Sequence, residues 1–155
     1  MTISYRPVGE DDAPAISMLL LDLLPSLLPD PAIPAAPAFV ASLSETAVRE
    51  RLSSPRFHGV GAFHDGELVG FASLRDRSHL FHLFVRRDSQ GRGVGRALWQ
   101  AILQLTDVAT ITVNASVNAI PIYQALGFEA TDVIDESTSP PYQPMRWIRH
   151  RRAAE

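Results

Sequence analysis

Leu83-Phe84-Val85-Arg86-Arg87-Asp88-Ser89-Gln90-Gly91-Arg92-Gly93-Val94-Gly95-Arg96-Ala97-Leu98 is the stretch on which the reading of this chain turns. An apolar run passes into a turn of charge and glycine, and the turn passes directly into a helical stripe. Val94, Ala97, Leu98, Ala101, Ile102 and Leu105 recur at helical spacing, so a helix begins where the glycines end. His79 to Arg86 reads as the strand that feeds the turn. Glycine removes the Cβ that would hold a ligand off the backbone. The helix N-terminus adds unpaired N–H donors and a partial positive charge. Together they make a cradle for phosphate oxygens. Arg86, Arg87, Arg92 and Arg96 place charge around it.

Spacing narrows the ligand. A P-loop needs G-x-x-x-x-G-K-[ST], and this chain contains no lysine at all. A dinucleotide fingerprint needs G-x-G-x-x-G after an early strand. Here Gly91, Gly93 and Gly95 are spaced G-x-G-x-G behind roughly the fourth strand. A tight turn that needs positive φ would use the same glycines, so the turn alone does not decide between ligand and geometry.

Upstream of the turn, Ile3 to Val8 reads as a strand. Asp11 or Asp12 caps a helix with Pro14 in its first turn. Ile16, Leu19, Leu20, Leu23, Leu24 and Leu27 form its apolar stripe, which Pro25 ends or kinks near Leu24. Five prolines between Pro25 and Pro37 exclude regular helix or central strand there. A second helix is expected over Ala38 to Leu52, with Phe39, Val40, Leu43, Ala47 and Val48 inward. Phe57 to His64 and Glu67 to Leu74 are strands joined by Asp65-Gly66, a strong hairpin signal. Downstream, Val108 to Asn114 alternates as a strand, and Asn118 to Leu126 is a short helix closed by Gly127. Phe128 to Ile134 and Tyr142 to Ile148 end the order as strands. The order is β-α-α-β-β-β-α-β-α-β-β. It predicts an α+β fold, with a single mixed, mostly antiparallel sheet of about seven strands and about four helices. Residues 1–155 read as one domain.

Composition sets outer limits. An apolar share of 46% and a charged share of 20% are those of a globular chain. The absence of cysteine excludes disulfides, thiol catalysis and cysteine-ligated metals. A net charge of −3 gives no nucleic-acid footprint. Arg146, Arg149, Arg151 and Arg152 read as a solvated terminus. The richest apolar run, Ala13 to Leu28, is broken by Ser17, Asp22, Pro25 and Ser26 and follows acidic residues. It predicts neither a membrane span nor a signal peptide, and the expectation is a cytoplasmic protein. No H-E-x-x-H pattern or carboxylate–histidine cluster implies a metal.

Gln90, Gly93 and Gly95 fit Q/R-x-x-G-x-G/A, and at this point the chain resembles the GNAT superfamily of N-acetyltransferases. Arg87 stands where many members have proline, and Ser89 where many have an aromatic. A second segment is similar in register. Ala119, Tyr123, Gly127 and Phe128 match A-x-x-x-Y-x-x-x-G-F, while Ser116 stands where many members have asparagine.

The resemblance covers about residues 58 to 148 and implies acetyl-CoA as co-substrate. It implies that Gln90, Gly91, Arg92, Gly93, Val94, Gly95 and Arg96 cradle its pyrophosphate. It also implies that Phe84 and Val85 lie on the strand pairing with the pantetheine arm, the Val85 N–H serving as oxyanion donor. Asn114, read as a strand end, and Ser116 are candidates for contacts to the same arm. Tyr123 is implied as the proton donor to the leaving thiolate. His79 is implied as the base, preferred over His82 because alternation puts His79, Phe81, Leu83 and Val85 on one face and His82 on the other.

The activity this implies is transfer of acetyl from acetyl-CoA to a primary amine, on a small molecule or a peptide, within a ternary complex. A non-catalytic acyl-CoA sensor on the same fold and an unrelated nucleotide binder are the competing readings. The acceptor, whether His79 or ordered water serves as the base, the order of segment 25–37 as a lid, and the oligomeric state (a homodimer included) stay open.

Overall fold

Asp65 and Gly66 both take positive φ, 50° and 79°. A two-residue type I′ turn demands that conformation. The turn joins β2 (Phe57–His64) to β3 (Glu67–Arg75) as expected. The computed structural model describes residues 2–150, so Arg151 and Arg152 of the expected basic terminus lie outside the described residues. The remaining strands are β1 (Ser4–Pro7), β4 (His79–Val85), β5 (Thr110–Ser116), β6 (Glu129–Ala130) and β7 (Tyr142–Ile148). They form one sheet in the order β1-β2-β3-β4-β5-β7-β6. Every pairing is antiparallel except β4 with β5.

The sheet is covered on both faces. On one face α4 (Val94–Leu103) and α5 (Ile120–Ala125) bury Leu98, Trp99, Ile102 and Phe128 against Leu74, Leu80, Ile111, Val113 and Met145. On the other, α1 (Ala13–Leu23) and α3 (Glu45–Leu52) pack Ile16, Leu20, Leu23 and Val48 against Phe71. Among the described residues no helix is long and apolar enough to cross a membrane.

Several expectations are corrected. The helix expected over 38–52 is two helices, α2 (Pro37–Ala41) and α3. Ser42 Oγ donates to Phe39 O, and Ser44 Oγ accepts from Ala47 N, so two serine side chains take over the backbone partners at the break. Among the described residues this gives five α-helices where about four were expected. Asp12 does not cap α1. Its carboxylate accepts from the Gly9 N–H and from Arg6, holding a 3₁₀ turn over Glu10–Asp12 ahead of the helix. α1 ends at Leu23, and Pro25 lies in a 3₁₀ turn, Leu24–Leu27. The strand expected over 128–134 shrinks to β6, because Asp132 and Asp135 accept from the N–H groups of Val133 and Ser137 in local turns. β5 runs two residues further than read, so Asn114 lies inside it and Ser116 ends it.

The largest correction is in β4. Ser73 faces His82 while Leu74 faces Leu80, so Phe81 is an extra residue in the ladder. Such a bulge inverts the alternation beyond it. His79 therefore shares the α1 face with His82 and Phe84, not the α4 face with Leu83 and Val85.

Candidate active site

β4 and β5 are paired at two positions, His79 with Thr112 and Leu80 with Val113. Past Leu80 the two strands part. Arg86 N–H donates to Val69 O at 2.8 Å. Alternation along an antiparallel strand turns the amides of Phe84 and His82 the same way, into β3. Those of Val85 and Leu83 point into the gap. The gap opens a cleft of about 1390 Å³ that passes through the sheet. Its wall carries Leu23, His82 and Phe84 from the α1 side and Val94, Val113 and Tyr123 from the α4 side.

The glycine turn closes one end. Gly91 and Gly93 have φ of 74° and 82°, and a Cβ at either would meet nothing of the chain. Those two glycines are required by backbone conformation. Gly95 is different. Its φ is not positive, and an added Cβ would lie an ordinary 3.7 Å from Val85 Cγ2. The fold does not require glycine there, and the open side faces the cleft. The N–H groups of Gly93, Val94, Gly95 and Arg96 find no acceptor among the described residues, whereas Ala97 donates back to Gly93 O. A left-handed residue followed by a helix start is an anion-binding concavity.

The other residues fall as follows. Phe84, Val85, Gln90, Gly91, Gly93, Val94, Gly95, Arg96, Asn114 and Ser116 line the cleft, and Arg92 does not. Gln90 has a structural role, since its Nε2 donates to Val85 O at 2.9 Å and ties the strand end to the turn. The ring of arginines is narrower than expected. Arg86 pairs with Asp88 and Glu67, and Arg87 donates to Asp22 O, which leaves Arg96 on the wall.

Tyr123 is 7% exposed, its ring edge-on to Phe128 at 5.5 Å, and it lines the cleft. Burial pushes its phenol well above the usual range, so it stays protonated through physiological pH. Its hydroxyl has no hydrogen-bond partner among the described residues. His79 Nδ1 lies 2.8 Å from Thr112 Oγ1. Burial first, then Arg75, pushes His79 down to about 4, so it is neutral at pH 7. His82 is buried among the rings of Phe71, Phe81 and Phe84; burial, then Arg51, pushes it down to about 3.

Sequence reasoning missed four participants. Thr112 and Arg75 join His79 across the ladder. Asn118 Nδ2 donates to Ser26 O and Leu28 O, and Ser139 bonds Pro34 O and the Ala36 N–H. These last contacts hold the proline-rich segment over the cleft from both sides.

A profile of the acetyltransferase (GNAT) domain matches residues 27–149. The chain belongs to this family. Solved GNAT structures share its fold. A GCN5-related N-acetyltransferase from Rhodopseudomonas palustris superposes with a TM-score of 0.79 at 26% identity, over 96% of this chain and 97% of that one. The PaiA N-acetyltransferase of Thermoplasma acidophilum, described in complex with coenzyme A, superposes at 0.78 with 16% identity, over 96% and 100%. Among curated relatives, the peptidyl-lysine N-acetyltransferase YiaC of Escherichia coli is 34% identical over 85 residues, 54% of this chain and 58% of that protein. The chain spans between 29% and 58% of the length of the curated relatives it matches.

Proposed function

We propose that this GNAT domain transfers the acetyl group of acetyl-CoA to a primary amine by direct attack in a ternary complex. One observation carries the reading. Four unengaged amides at the start of α4 and the hydroxyl of Tyr123 open onto one cleft, and the strand gap with the Leu83 and Val85 amides runs between them. The coenzyme A complex of the Thermoplasma neighbour supports the same ligand.

In this mechanism the diphosphate sits on the amides of Gly93 to Arg96, and the pantetheine arm lies along Leu83 and Val85. The neutral amine attacks the thioester carbonyl, and a gap-facing β4 amide, that of Val85 by resemblance, donates to the developing oxyanion. The C–S bond breaks, and Tyr123 gives its proton to the thiolate and takes one back from solvent. The proton lost by the amine leaves through His79 to solvent. In the tautomer that donates from Nδ1 to Thr112, the lone pair on Nε2 is available for it.

Release of CoA thiol against a broad amine panel tests the transferase reading. Tyr123→Phe is expected to lower kcat by about 100- to 10,000-fold with the acetyl-CoA Kd unchanged. Unchanged kcat removes Tyr123 from the chemistry, and no release with any amine points to a sensor.

A further inference from the structure

The acceptor end of the cleft has its own charge and shape. It lies at the His79 end of β4, away from the phosphate turn. Among the described residues the cleft wall carries Arg75, Arg96 and Glu136 as its formally charged side chains. Arg96 belongs to the phosphate end, and Glu136 to the 136–141 loop that meets the proline-rich segment through Ser139. Arg75 stands beside His79 in the ladder, at the opposite end. Its nearest carboxylate is Asp76, at 4.0 Å. That carboxylate is already held by Arg56 through two bonds of 2.9 and 2.8 Å. Arg75 therefore shares this carboxylate with Arg56 and holds the longer of the two contacts, which leaves its charge only partly compensated at the cleft.

A second cation stands close by. The guanidinium groups of Arg51 and Arg75 lie 5.2 and 5.5 Å from the Phe81 ring centre, and Phe81 is on the cleft wall with Phe39 and Leu27. Arg51 donates to Ser42 O and makes no ion pair among the described residues. Aromatic surface beside a weakly paired guanidinium suits a carboxylate with an apolar body and disfavours a polycation. The roof limits size. Asn118 holds Ser26 and Leu28, and Ser139 holds Pro34 and Ala36, so the proline-rich segment is tied to the wall at both ends. A free small molecule can enter beneath such a roof more readily than a side chain on a folded protein.

We propose that the acceptor is a small amino acid, its carboxylate bound by Arg75 and its apolar side chain lying against Phe39 and Phe81. This rests on the transferase reading above and deepens it.

CoA-thiol release is measured for phenylalanine and leucine, their amides, the decarboxylated amines, spermidine, and a lysine-containing peptide. The expected result is turnover of the amino acids, with kcat/KM falling about 10- to 100-fold when the carboxylate becomes an amide. Arg75→Gln is expected to bring the ratio of acid to amide close to one, mainly through KM, and Arg75→Lys to restore part of it. Circular dichroism confirms that both variants are folded. Equal use of acids and amides, an unchanged ratio in Arg75→Gln, or preference for spermidine or the peptide overturns the amino acid assignment and leaves the transferase standing. No turnover of any amine, with acetyl-CoA still bound, overturns both.

Discussion

Gly95→Ala separates what the fold needs from what the ligand needs. In the free protein an added methyl meets only Val85 Cγ2, at 3.7 Å, and the backbone is already compatible with any L-residue. Gly95 lies in the first turn of α4. Replacing glycine by alanine within a helix stabilises by about 0.5–1 kcal/mol. For a chain of this size that is a rise in Tm of about 1–4 °C. The same methyl projects where the diphosphate must approach the amides of Gly93 to Arg96. Wild-type protein at one hundred times the Kd of acetyl-CoA gains about 2.7 kcal/mol, or about 5–11 °C. Differential scanning fluorimetry with and without acetyl-CoA reads both effects, and titration calorimetry gives the Kd. The expected variant is at least as stable when free and has lost most of the ligand-induced shift. Gly93→Ala is the control: at φ 82° a Cβ costs about 1–2 kcal/mol in the free protein itself. A destabilised free Gly95→Ala, or one that keeps its full acetyl-CoA shift, refutes the assignment of those amides.

Two further expectations concern the acceptor side. Asn118→Ala removes both bonds to the roof and should cost about 1–2 kcal/mol, raise the acceptor KM more than that of acetyl-CoA, and expose the proline-rich segment to limited proteolysis; unchanged proteolysis and KM would show that Asn118 does not hold the roof. His79 should titrate by NMR near 4 rather than 6.5. Its folded-state value is depressed, so its contribution to stability is full above pH 6.5 and is lost as pH falls through about 4. The fall in Tm over that window should flatten in His79→Asn, and a midpoint at or above 6.5 would contradict the burial assigned to this ring.

What the sequence made legible was local. Gly91, Gly93 and Gly127 advertise positive φ at the places where the chain turns, and Asp65-Gly66 fixes its hairpin. The stripe of α4 needed only its period. The split between α2 and α3 was also readable, because Ser44 before Glu45 is a helix-start signal, but Leu43 continued the apolar stripe and masked it. The bulge at Phe81 was not legible. It depends on long-range packing of that ring edge-on to Phe57 at 5.2 Å, and it moved His79 to the other face. Arg75, Thr112, Asn118 and Ser139 were missed for a related reason. Each acts on a residue distant in sequence or across the ladder, and nothing in their own neighbourhoods marks them.

The central claim is that the α4 amides and the Tyr123 hydroxyl serve one ligand through the β4–β5 gap. A crystal structure with acetyl-CoA bound tests it most directly. Diphosphate oxygens within about 3 Å of the Gly93 to Arg96 N–H groups, with the thioester sulfur beside the Tyr123 hydroxyl, is the predicted result. A coenzyme bound elsewhere, or one whose sulfur lies on the far side of β4 from Tyr123, would contradict it.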